Sequence, residues 1–349
     1  MNWISYNVLF KNGDVCGLAS YMGIKGALDT IRLDKGPDGL KTFFQELGRN
    51  DYKEAISILN EENLHFSSLY ILKPEIEALN LYNYLSLQNK IAISIIDEIL
   101  EGNKSMQPMG CSSSEYIQIV CSVLKWILLS GFIDDGLEDD YDKVLDASSA
   151  LLAKVYGDRT VLPIMADAIF ERNRKGHLYN DLVWAFFESR YPYGLILIAA
   201  RLLSKRPEDA RLAQKLLSFI PGMDIKRASA NERQHLTALH WLRKNYPFLY
   251  FTGESFQQSI SPRPYRIVLE AKYLCKTVSI DTGKTIEPLS GNEHKLLKEF
   301  SELGNDARIM LSNYSLMLHN NNINRWNKWI HRPTMEQVEI AGLWMEGAE

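Results

Sequence analysis

Apolar residues recur at helical spacing through most of this chain, and the pattern weakens only towards its two ends. Over 89–101, Ile91, Ala92, Ile95, Ile96, Ile99 and Leu100 fall on one face of a 3.6-residue helix. Over 207–220 the same period carries its own punctuation. Pro207 suits a first helical turn, Glu208 and Asp209 suit the positive end of the helix dipole, and Pro221-Gly222 stops the run. The period also predicts helices over 40–47, 52–60, 74–85, 115–130, 141–156, 161–172, 178–188 and 232–244, separated by brief turns such as 48–51 and 191–194. Serial helical hairpins of this kind build a compact bundle or a curved solenoid.

The stretch Asn50-Asp51-Tyr52-Lys53-Glu54-Ala55-Ile56 resembles the start of the second helix of a tetratricopeptide repeat, but no fixed period recurs downstream. The expected fold is therefore mainly α: an irregular array of antiparallel helical hairpins over 38–245. Residues 1–37 read differently. Positions 3–10 alternate, Asn12-Gly13 is a two-residue hairpin signal, 15–18 can return, and Gly23, Gly26 and Gly36 punctuate a loop-rich connection. Residues 246–349 read as a small α+β module. It opens with aromatics among Gly253, Pro262 and Pro264, continues with two or three strands over 266–286, and resumes helices at 292–303 and 307–318. A tail follows that carries Trp326, Trp329 and Trp344 on helices split by Arg332-Pro333. That tail is expected to dock on its own chain, with contact between copies as the alternative.

Composition narrows the function more than the fold. A net charge of −4 disfavours a general nucleic-acid binder, and the basic spots Arg172 to Lys175 and Lys205-Arg206 read as helix C-terminal charges. The four cysteines, Cys16, Cys111, Cys121 and Cys275, form no CxxC pair, which points to free thiols in a reducing compartment. With no basic, apolar leader at the N-terminus and with Lys125 and Arg201 inside the most apolar runs, 123–132 and 195–203, a cytoplasmic protein without a membrane partner is expected.

No candidate chemistry completes itself. Gly283-Lys284-Thr285 matches the end of a phosphate-binding loop, but the glycine such a loop needs is Val278, and the context is a hairpin turn. The acidic run 134–142 could gather a hard cation, yet reads as a solvated inter-helix loop whose last aspartates cap the next helix. Asn180, Asp181 and Glu188 have the spacing of a terpene-cyclase metal motif, but Trp184 stands where that family needs a hydroxyl ligand. His235 and His240 lie five apart, on different helix faces. No metal or cofactor is expected.

The aromatic segment Tyr246, Phe248, Tyr250, Phe251 and Phe256 reads first as a loop docked on the helical body that joins the modules, and second as a partner-binding surface together with Arg263 and Arg266. Arg263, Arg266 and Lys272 could serve an anionic ligand or solvate a strand edge. The leading expectation is a non-catalytic cytoplasmic scaffold that binds a protein partner on a helical-array surface. The alternative is a metal-assisted or small-molecule enzyme with its site between the array and the C-terminal module.

Overall fold

A computed structural model describes residues 26–102, 114–223 and 231–346. The hairpin expected over 3–18, Cys16 and Cys111 lie outside the described residues. The molecule is mainly helical: among the described residues there are 16 helices and a single two-stranded antiparallel sheet, so helix packing supplies the core. The chain divides into two compact units, one running to Ser189 and the other beginning at Arg190. The division falls inside the stretch 38–245 that reads as one array.

The N-terminal unit contains α1 (Ala27–Asn50), α2 (Tyr52–Leu59), α3 (Phe66–Ala78), α4 (Leu87–Leu100), α5 (Ser114–Gly131), α6 (Asp139–Ala150), α7 (Leu162–Lys175) and α8 (Asn180–Glu188). Two elements depart from the periodic reading. The connection expected before residue 38 is helical from Ala27, broken only where Gly36 takes φ +73° ahead of Pro37. Its inward face carries Asp29 and Arg32, both buried, so the pattern looked solvated where it is interior. Similarly, α3 begins at Phe66 and holds Pro74 inside it, whereas the proline had suggested a start. Residues 66–72 are buried on nearly every face, which erases the amphipathic period that would have revealed the helix.

Helix α5 lies at the centre of this unit, against α3, α4 and α6. With the 3₁₀ turn that follows, it forms a 21-residue stretch, Ser114–Asp134, of mean hydropathy 1.8, long and apolar enough to cross a membrane; 50% of it is buried within the unit. Its polar groups are matched to neighbours. Trp126 Nε1 donates to the Leu64 carbonyl (3.1 Å), and Ser130 Oγ accepts from Phe66 N (3.0 Å). Gly131 permits the close approach to α6, since a Cβ there would meet Leu145 Cδ2 at 2.6 Å.

Only the start of the acidic run departs from the solvated loop expected: Glu138, Asp139 and Asp140 are exposed, and Asp139, Asp140 and Asp142 lie in the first turn of α6. Asp134 accepts from Arg32 Nη1 (2.6 Å) and Ser67 Oγ (2.6 Å), tying α1 and α3 to the end of α5. Asp135 is buried and takes a fork from Arg172, with Nε at 2.9 Å from both its oxygens and Nη2 at 2.7 Å from Oδ1. Arg172 Nη1 reaches Asp146 at 2.9 Å and the Leu178 carbonyl at 3.3 Å. Arg172 is thus among the largest fully buried side chains and not a surface charge on the helix end. Burial works against its charge, but the bonds to Asp135 and the Asp146 charge hold it protonated well above its ordinary value. Asp146 receives only part of that cation, and burial pushes it up to about 6.

The C-terminal unit contains α9 (Leu195–Ala200), α10 (Pro207–Leu216), α11 (Asn231–Asn245), β1 (Leu249–Phe251), β2 (Tyr265–Ile267), α12 (Leu269–Tyr273), α13 (Gly291–Ser301), α14 (Asn305–Asn321), α15 (Ile323–Ile330) and α16 (Thr334–Glu346). The aromatic segment itself supplies β1, paired antiparallel with β2 in the register Tyr250 to Arg266. Of the strands expected over 266–286, only Tyr265–Ile267 and a single bridge, Val278 to Thr285, form; α12 takes the place between them. That bridge closes the turn at Asp281–Lys284, where Gly283 takes φ +68°. The tail docks on its own unit. Trp329 is buried with Tyr273, Phe300 and Tyr314, and Trp326 Nε1 donates to Ser315 Oγ (2.7 Å).

Removing one member of a buried ion pair strands the other. Arg172→Leu is expected to lower the unfolding free energy by roughly 3–5 kcal/mol, read from urea denaturation. Arg172→Leu/Asp135→Leu should recover part of that loss. A single variant as stable as the parent would show that this pair does not hold the unit together.

Candidate functional site

One cleft of about 1250 Å³ opens in the C-terminal unit. Helix α11 supplies its longest wall through two adjacent rows, Glu232, Leu236, His240, Lys244 and Arg233, Thr237, Trp241, Asn245. The opposite wall comes from β2 with Arg266 and Ile267, from Arg263 just before it, and from Asn305, Ile309 and Asn313 spaced every four residues on α14. Lys272 of α12 lies at its floor, 3% exposed. The cleft is thus made where the last helix of the expected array meets elements of the expected C-terminal module.

Its charge is lopsided. Among the described residues, Arg233, Lys244, Arg263, Arg266 and Lys272 line it against one carboxylate, Glu232. Arg266 is ion-paired with Glu254. Arg233, Lys244, Arg263 and Lys272 have no carboxylate within ion-pair distance among the described residues. A smaller cavity of about 460 Å³ in the N-terminal unit sets Asp38 and Glu138 beside Lys41 and Lys73, so its charges offset one another.

Lys272 is the most constrained of these cations. Its Nζ donates to Asn245 Oδ1 (2.7 Å) and Asn313 Oδ1 (2.6 Å). Asn245 is oriented from its other end, because its Nδ2 donates to the Trp241 carbonyl (2.8 Å) and leaves the oxygen for the lysine. Two neutral amides therefore hold a buried ammonium without a counter-charge. Burial, and then the positive charge of Lys244, lowers Lys272 to about 8. Burial together with Lys244 and Arg243 also lowers His240 below its ordinary value. Trp241 adds a further donor, its Nε1 buried without an acceptor.

The structure separates the residues singled out in the sequence. Arg263 and Arg266 line the cleft, as does Lys272. Phe248 and Phe251 are interior, 3% and 9% exposed. Tyr246, Tyr250 and Phe256 are half-buried: Tyr246 against Tyr193 (4.0 Å between ring centroids), Tyr250 against Gly283, and Phe256 beneath Lys215 Nζ (5.2 Å). Arg233, Lys244, Asn245 and Asn313 were missed. A cationic stripe on an amphipathic helix reads as a solvated face, and Asn313 is brought in from a distant helix.

The metal candidates are drawn to different partners. Asp134 and Asp135 serve Arg32 and Arg172, Glu138 accepts from Tyr70 Oη (2.5 Å), Asp142 accepts from Gly136 N (2.8 Å), and Glu188 lies 3.6 Å from Lys154. Among the described residues no three His, Cys, Asp or Glu side chains are placed to hold a metal ion. Comparison with known proteins finds no matching family model, curated protein or solved structure.

A lysine held below its unfolded value opposes folding at neutral pH. The unfolded chain keeps a proton up to the ordinary value of 10.5 that the folded chain gives up near 8, so stability from this group rises between those limits. The penalty below pH 8 is about 3 kcal/mol. Lys272→Met should therefore be more stable than the parent at pH 7, with the difference shrinking towards pH 10. A pH-independent difference in urea unfolding would contradict the assignment.

Proposed function

We propose that the chain is a non-catalytic protein-interaction protein of the cytoplasm that docks an acidic segment of a partner in the cleft of its C-terminal unit. The observation that carries this reading is the set Arg233, Lys244, Arg263 and Lys272, cations sharing one cleft without carboxylate partners among the described residues. Charge complementarity favours an anionic occupant and speeds its capture. The volume, about 1250 Å³, exceeds the roughly 300–1,000 Å³ of small-molecule sites, which favours a chain segment.

Exposed aliphatic side chains separate a protein segment from a nucleic-acid strand. Leu236 is 64% exposed and Ile309 40%, and both line the cleft between the cations. Strands of nucleic acid are held by exposed aromatic stacking platforms on a positively charged track, whereas the aromatics of this cleft, Phe219, Trp241 and Tyr265, are half-buried or buried. Aliphatic positions interleaved with charge instead suit alternating acidic and apolar residues, and the chain as a whole carries −4.

A labelled peptide alternating glutamate and leucine should bind the full chain, with affinity falling as salt screens the exposed charges. Arg233→Ala/Lys244→Ala/Arg263→Ala should weaken it about tenfold or more, ~1.4 kcal/mol. Undiminished binding by this variant in fluorescence anisotropy would sink the reading. A single-stranded oligonucleotide binding more tightly at equal salt would reassign the cleft to nucleic acid.

A further inference from the structure

We propose that Lys272 and Asn313 form a phosphate seat at the floor of the cleft, which takes the phosphomonoester group of a phosphorylated side chain in the docked segment. This rests on reading the cleft as a dock for an acidic protein segment. An ammonium has three N–H donors and no acceptor, and two of those of Lys272 go to Asn245 and Asn313. Among the described residues no partner takes the third, on a buried cation that lines the cleft. Asn313 uses its Oδ1 on the lysine at 2.6 Å, so its Nδ2, with two further donors, stands on the same amide. Asn313 is itself exposed and lines the cleft. The pair therefore offers N–H donors to the cleft, one set charged and one neutral.

The surroundings select the anion. A carboxylate brings one charge and would neutralise Lys272 alone, leaving Arg233, Lys244 and Arg263 uncompensated. A phosphomonoester carries about −1.5 to −2 at pH 7 and three strong acceptor oxygens, and so satisfies several donors at once.

Titration gives the seat a signature that exposed arginines would not have. The charged or titratable groups around Lys272 are Glu232, Arg233, His240 and Lys244 of α11, Arg263 just before β2 and Arg266 within it, and Cys275 just beyond α12, while the face of α14 in the cleft is uncharged. Glu270 of α12 is paired instead with Arg308 at 3.7 Å. Since the free lysine sits at about 8, binding above that pH must take up a proton. Affinity for phosphate should fall by about tenfold per pH unit there. Below pH ~6 the phosphate itself loses its second charge.

Three probes on the full chain test this: the glutamate–leucine peptide, the same peptide with one phosphoserine, and phenyl phosphate. The phosphopeptide should bind at least tenfold more tightly than its parent at pH 7, and this advantage should vanish in Lys272→Met and fall above pH 8. Asn313→Asp should also remove the advantage, because the new carboxylate pairs with Lys272 and repels the phosphate, and it tests the seat without replacing the lysine. Equal affinity for both peptides would overturn the phosphate seat and leave the docking reading intact. Phenyl phosphate binding that depends on Lys272, with neither peptide bound, would uphold the seat and overturn the docking of a segment. No binding of any probe would overturn both.

Discussion

Taking a cation out of water costs several kcal/mol unless a carboxylate replaces the lost hydration, and the N-terminal unit is organised around meeting that demand twice. Arg32 on α1 is met by Asp134, and Arg172 on α7 by Asp135 and Asp146. Asp134 and Asp135 are adjacent in the chain, at the end of the central helix. One short turn therefore fixes α1 and α3 on one side and α7 on the other. Apolar burial around Phe66, Trp126 and Tyr141 supplies most of the stabilisation, but the two pairs decide which helices may approach.

The C-terminal unit faces the same demand at Lys272 and answers it differently. Two asparagines accept from the ammonium, no carboxylate follows, and neighbouring Lys244 adds to the penalty. A fold selected for stability alone would place an apolar side chain or an acid at this position. Residues that break a local rule without compensation concentrate at functional sites. The contrast between the neutralised arginines of one unit and the unneutralised lysine of the other is the physical basis for the proposal that binding occurs in the cleft.

Helices with a clear apolar face were legible in the sequence: α4, α5, α7, α11 and α14 appear within a few residues of the periodic pattern. The failures share a cause. Asp29 and Arg32 at inward positions concealed the first part of α1, near-complete burial concealed the first half of α3, and the start of the acidic run looked solvated because its guanidinium partners are remote in sequence. Buried ion pairs are long-range facts that hydrophobic periodicity does not carry. The cleft was legible only where its members cluster locally, at Arg263, Arg266 and Lys272. Helix α11 was found, but which of its faces borders a cleft depends on β2 and α14.

The aromatic segment clarifies how such a site is held. Phe251 lies opposite Tyr265 in the ladder, their rings 5.9 Å apart, and Phe248 is anchored by Ala271 and Val278. Side chains alternate along a strand, so burying Tyr265 turns Arg266 outward to the cleft edge, where Glu254 steadies it. Residue 271, in the helical turn just before Lys272, belongs to the same small core as Phe248. The aromatics thus act on the cationic residues by fixing the backbone that carries them. The residues singled out in the sequence thus fall into two layers: a frame in which Phe248 and Phe251 are buried, and Arg263 and Arg266 at the cleft edge.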